Sequence, residues 1–150
     1  MRRSRPERNE KVSGSHIRVA IVVSRFNSDV TDELLDGAFN ILKESDVRPE
    51  NVEVTFVPGA FEIPLACARC AEIDDYDGII ALGCIVEGET DHDWHVATAV
   101  SQGIMDVSLS FDIPIGFGVL TVRNLKQAKA RSHGRHNAGR EAAEAMLQMV

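Results

Sequence analysis

Apolar residues along the chain alternate between two periods. "HIRVAIVVS" (His16 to Ser24) is β-branched and almost wholly apolar after Arg18, as expected of a strand buried on both faces. In the next segment Val30, Leu34, Leu35, Ala38, Ile41 and Leu42 recur at helical spacing, with Ser28 or Asp29 as the expected cap. "DVRPEN" ends that helix. "VEVTFV" (Val52 to Val57) reads as a strand, Pro58 and Gly59 as a turn, and Phe61 to Ile73 as a helix that tolerates Pro64 in its first turn. "GIIALGCIV" (Gly78 to Val86) is a third strand. A helix follows from about Trp94 to Ser110, then a strand from Ile113 to Val122. The tail carries one or two helices, with a break at "SHGRHNAG".

Strict strand–helix alternation predicts right-handed crossovers and a parallel sheet with helices on both faces. Ligands of such folds bind beyond the carboxyl ends of the strands. That rule selects four loops: Arg25 to Ser28, Pro58 to Glu62, Gly88 to Asp93, and Thr121 to Asn124.

Composition narrows the field. The chain has 150 residues, enough for one domain with a full core, and 44% of them are apolar. No apolar run approaches the ~20 residues of a bilayer span. The first 15 residues are basic and lack an apolar stretch, so they read as a mobile arm ahead of a single domain over 16–150. Three cysteines, an odd and sparse count, fit a reducing compartment and a cytoplasmic protein. Cys67 and Cys70 form a lone CxxC on an expected helix, where core packing explains them better than redox or zinc chemistry. A net charge of −7 argues against nucleic acid as the partner. The charge is uneven, however: Ile113 to Arg140 holds six basic residues and no acid, either a solvated helix face or the surroundings of an anionic small molecule.

"GETDHDWH" (Gly88 to His95) concentrates the candidate chemistry. His92 and His95 with Asp91, Asp93 or Glu89 could ligate a metal, but the spacing is not HExxH and no distant ligand stands out. Gly88, Glu89 and Thr90 stand where a strand hands over to a helix, so their N–H groups could face an anion. No Walker or GxGxxG motif accompanies them. His92 at such a junction has a suitable pKa range for proton transfer near neutrality. Phe26 and Phe61 fall just past strand ends, where they could hold a flat heterocycle or simply cap the core.

Taken together, "SRFN", "VPGAFEIPLA", "GCIVEGETDH", "FGVLT" and "QAKAR" resemble the 6,7-dimethyl-8-ribityllumazine synthase family, collinearly from about Val19 to Met149. The resemblance implies a flavodoxin-like three-layer sandwich with a four-stranded parallel sheet. It implies condensation of 5-amino-6-(D-ribitylamino)uracil with 3,4-dihydroxy-2-butanone 4-phosphate, releasing phosphate and water, in riboflavin biosynthesis. It implies no metal and no organic cofactor. It implies a homopentamer, or a 60-subunit shell of twelve pentamers, with active sites shared between neighbours and riboflavin synthase as a candidate partner.

By the same resemblance Phe26 stacks on the pyrimidine, and Ala60, Phe61 and Glu62 bind the ribityl chain and pyrimidine edge. Cys84, Ile85 and Val86 line the pyrimidine pocket. Glu89 and Thr90 hold the phosphorylated ketone, and His92 shuttles protons. Phe117 and Arg131 come from the adjacent subunit, to cover the ring and bind the phosphate.

The chain departs from the family pattern at Asp93, Trp94, Thr98 and Ala99. Ala138 stands where the family usually has a lysine, a charge that Arg135 could replace. These departures motivate an alternative, a shell-forming or flavin-binding paralogue with little catalysis.

Overall fold

A computed structural model of the chain describes residues 14–88 and 92–150. Its elements run β1 (Val19–Ser24), α1 (Ser28–Glu44), β2 (Val52–Val57), α2 (Ile63–Glu72), β3 (Gly78–Val86), α3 (His92–Phe111), β4 (Ile115–Val122), α4 (Leu125–Ala130) and α5 (Ala138–Met149). The four strands form one parallel sheet in the order β2-β1-β3-β4, with helices on both sides: a flavodoxin-like α/β sandwich.

The two-residue period of the strands divides the core. Val19, Ile21, Val23, Ile80 and Leu82 pack under α1 and α5, with Leu34, Ile41, Ala142 and Met146. Ala20, Val22, Ile79, Ala81 and Ile85 pack under α2 and α3, with Ile63, Cys67, Val100 and Ile104. Every β1 residue is buried, which accounts for the continuous apolar run. Each large aliphatic side chain so buried contributes roughly 1.5–3 kcal/mol. Cys67 and Cys70 are free thiols in the second layer; burial first, and then Cys70, push Cys67 up to about 12. They serve packing.

Asn137 ties the two helices of the first layer together. Its amide donates to the Glu33 and Ser132 carbonyls (2.8 and 2.7 Å), and its Oδ1 caps α5 by accepting from Gly139 and Arg140 N–H.

Several expected boundaries shift. β1 starts at Val19 rather than His16, because Gly14–His16 form a 3₁₀ turn anchored by Gly14 N–H on the Ser45 carbonyl (3.1 Å). Gly14 and Ser15 therefore join the folded chain, and residues 1–13 of the expected arm lie outside the described residues. Neither Ser28 nor Asp29 caps α1: the preceding residue is Asn27, in the left-handed region at φ 60°, and it makes no side-chain cap. Ala60–Glu62 form a 3₁₀ turn and α2 proper begins at Ile63. α3 runs from His92 to Phe111, longer at each end than expected, and β4 starts two residues late, after Pro114.

Candidate active site

All four strands end at the same edge of the sheet, so the loops selected from the sequence converge there. Between β1 and β3 the chain reverses its winding direction, since β1 leads to β2 on one side and β3 to β4 on the other. Such a reversal opens a crevice. β1 pairs with β3 only as far as Val23–Leu82, whereas β3 continues against β4 to Val86–Val122. Beyond Leu82, one edge of β3 therefore faces the crevice without a strand partner.

Asn27 bridges this gap, its Nδ2 donating to the Cys84 carbonyl (3.1 Å). Its left-handed backbone turns the side chain away from capping and toward β3, a conformation that asparagine tolerates better than most residues. Arg25 and Phe26 donate their N–H groups to the Val57 and Pro58 carbonyls (2.8 and 3.0 Å). The β1 exit loop is thus fixed on both sides, while the Phe26 ring stays 72% exposed. Phe61 is 63% exposed and the neighbouring Ala60 is buried. The Glu62 carboxylate accepts Gly59 N–H (3.1 Å), which holds the 3₁₀ turn in place. Two aromatic rings thus stand in water on well-anchored backbone, a costly arrangement unless something covers them.

The side chains of Cys84 and Ile85 enter the two core layers rather than the crevice. Successive residues of a strand point to opposite faces. Cys84 is buried in the α1–α5 layer and Ile85 in the α2–α3 layer. Both can serve the crevice only through their main chain; Val86 is half-buried at the strand end. Burial pushes the Cys84 thiol up, away from a nucleophilic thiolate.

His92 is the first residue of α3 and is exposed. Glu89 and Thr90, expected to hold phosphate, lie outside the described residues. Across that interval Asp93 Oδ2 accepts Gly88 N–H (2.5 Å). Trp94 and His95 pack edge to face at 5.1 Å. Among the described residues no three His, Cys, Asp or Glu side chains converge as a metal site would need.

Phe117 and Arg131 are not brought into the crevice of their own chain. Phe117 lies on the outer edge strand beside Ala81 and is 49% exposed. Arg131 ends α4, half exposed, with an ion pair to Glu141 at 3.5 Å.

Sequence reasoning missed Ser24 and the cleft beside it. A cavity of about 350 Å³ opens between Ser24, Arg25, Ser28, Asp32 and Phe56, with the Arg25 guanidinium 5.0 Å from the Phe56 ring centroid. Ser24 Oγ is buried without a hydrogen-bond partner. Its place at the end of a buried strand was the available signal.

A family profile described as 6,7-dimethyl-8-ribityllumazine synthase matches residues 16–150. A protein of that name from Parabacteroides distasonis is 41% identical over 143 residues, covering 95% of this chain and 89% of the relative. Another of that name from Pediococcus pentosaceus is 42% identical over 139 residues, covering 92% and 89%.

Proposed function

The chain belongs to the 6,7-dimethyl-8-ribityllumazine synthase family, and from that premise we propose how its own residues carry out the reaction. It is a transferase of riboflavin biosynthesis. It condenses 5-amino-6-(D-ribitylamino)uracil with 3,4-dihydroxy-2-butanone 4-phosphate, releasing phosphate and water. The observation that supports the site assignment is that exposed Phe26 and Phe61 and the first residue of α3, His92, all follow strand ends at the carboxyl edge of one parallel sheet.

The pyrimidine stacks on Phe26. Its polar edge and ribityl chain are held by main-chain groups of Ala60, Phe61 and Glu62 and by the edge of β3 from Cys84 to Val86, which has no strand partner. The amine attacks the ketone; dehydration to the imine, phosphate elimination and ring closure with loss of a second water follow. Each of these steps needs a proton given or taken, and one well-placed imidazole can serve several of them. His92 is that imidazole. Glu89 and Thr90 hold the phosphorylated ketone. Arg131 of a neighbouring copy pairs with the phosphate and stabilises it as it leaves. Holding both substrates together supplies much of the remaining acceleration.

Homo-oligomeric assembly is typical of the family; here the assembly is a pentamer, with Phe117 and Arg131 completing the next subunit's site. Two observations support this reading. Phe117 and Arg131 lie away from their own crevice, and Trp94, Met105, Leu109 and Leu65 leave a large apolar area of α3 and α2 exposed. Such an area needs covering in a protein that stays dispersed. Twelve pentamers could close into a shell. Among the described residues no helix is long and apolar enough to cross a membrane.

Purified protein given both substrates is expected to form the lumazine chromophore well above the spontaneous rate. Absence of that excess, with tight flavin binding instead, would support the paralogue reading suggested by Asp93, Trp94 and Ala138. Light scattering should find at least five subunits together; an active monomer would refute the shared site.

A further inference from the structure

We propose that Asp93 is a positioning residue for His92, acting by pinning Gly88 to the first turn of α3. The proposal rests on the reading of His92 as the proton-transfer group. Its own basis is the bond across the β3–α3 junction, where Gly88 N–H donates to Asp93 Oδ2 at 2.5 Å.

The two ends of that bond are fixed differently. Glu87 N–H is held by the Val122 carbonyl (2.7 Å), so Glu87 is the last residue anchored to the sheet and Gly88 is the first beyond it. Asp93 is the second residue of α3, directly after His92, and its side chain is half-buried. One carboxylate thus connects the end of the sheet to the turn that carries the histidine. A carboxylate suits this place, because the first turn of a helix favours negative charge and an ionised acceptor strengthens the bond. Glycine suits the other end. A Cβ at position 88 would lie 3.0 Å from Asp93 Oδ2, tighter than nine in ten real Cβ contacts, so any other residue would make the carboxylate give by a few tenths of an ångström.

This bond adds a restraint on where His92 stands, beyond the core packing of α3 through Val100 and Ile104. Displacing a proton-transfer group by about 1 Å costs on the order of 10²-fold in rate. Partial loosening is therefore expected to cost less, about tenfold in kcat. It should not touch the uracil substrate's contacts, which lie on the β1 and β2 exit loops and on β3 ahead of Glu87, itself anchored to the sheet.

The test measures kcat and both KM values for Asp93→Ala, Asp93→Asn, Gly88→Ala and His92→Ala in the assembled protein. Asp93→Ala is expected to lower kcat about tenfold and to leave the KM of the uracil substrate within about twofold. Asn retains an oxygen able to accept Gly88 N–H, so Asp93→Asn should recover to within about threefold of the parent. Gly88→Ala should fall between these two, and serves if Asp93→Ala does not fold. A slow His92→Ala with an unchanged Asp93→Ala would overturn the positioning role alone. An Asp93→Asn as slow as Asp93→Ala would overturn it too, since charge rather than the hydrogen bond would then matter. An unaffected His92→Ala would remove the reading of His92 on which the proposal stands.

Discussion

At the amino end of the sheet, polar groups answer one another. Arg18 donates its N–H to Asp77 (2.8 Å) and pairs its guanidinium with Asp75 (3.1 Å), and the Tyr76 hydroxyl donates to Glu53. At the carboxyl end of the same strands, rings and polar atoms are left over. Phe26, Phe56 and Phe61 are exposed, and Ser24 Oγ and Thr31 Oγ1 are buried without partners. Among the described residues Arg18 Nε is the one such atom at the amino end. Folding alone would favour satisfying both ends equally. The difference marks one end as finished by the chain itself and the other as finished by a ligand or a neighbouring subunit. Substitutions at the two ends should therefore separate, those at the amino end changing stability and those at the carboxyl end changing catalysis.

The largest effect is expected at His92. His92→Ala should lower kcat about 10²-fold, the usual worth of a positioned acid–base group, and leave the urea midpoint unchanged. A histidine variant that unfolds early while turning over normally would erase the distinction. Next comes Gly78→Ala at the amino end. Gly78 opens β3, and a Cβ there would meet Met146 Sδ at 2.3 Å and Cγ at 2.7 Å. Met146 is fully buried, so the overlap has little room to relax. We expect a loss of about 2 kcal/mol in unfolding free energy with both KM values unchanged. Phe26→Ala is smaller and opposite in kind. The ring is mostly in water, so stability should hold within about 0.5 kcal/mol, while the KM of the uracil substrate rises about tenfold.

These expectations draw on parts of the molecule that the sequence revealed unequally. Val52–Val57 and Gly78–Val86 can be read to the residue, because β-branched runs bounded by turn signals end where the ladder ends. The edges of β1 and β4 cannot be read this way. Gly14–His16 is held by the distant Ser45 carbonyl, and Asp112 turns the chain at φ 51° before Pro114. Neither event has a local pattern. The position of the site follows from alternation alone, since any parallel α/β sheet gathers the same four loops. Its lining is harder. "GCIV" reads as one block when taken from a resemblance, although a period of two already sends Cys84 and Ile85 to opposite faces. Asn27 is harder still: helix-start statistics favour Ser28 or Asp29 as the cap, and only the gap left by the short β1 shows why asparagine stands before them.

Tyr76 gives the smallest effect and the sharpest division between the two ends. Burial first, then the hydrogen bond and charge of Glu53, push its hydroxyl up to about 12, and Arg18 opposes them weakly. A raised pKa means that the folded chain holds the proton more tightly than the unfolded chain, whose tyrosine titrates near 10. The stabilisation is therefore complete below about pH 10 and is lost as pH climbs through 12. Cys67 adds the same sign over a window that opens lower, from its ordinary 9.0 to about 12. The urea midpoint of the parent should fall steadily from about pH 9 upward. Tyr76→Phe should reduce that fall above pH 10 and leave the Cys67 share, which runs from pH 9 to about 12. At pH 7 the variant loses one hydrogen bond at the protein surface, worth under ~1 kcal/mol. Turnover with both substrates should not change at all, because the Tyr76–Glu53 pair stands at the opposite end of the sheet from His92. A shift in either KM beyond about twofold would mean that strain passes along the strands from one end to the other, and that the two ends are not independent.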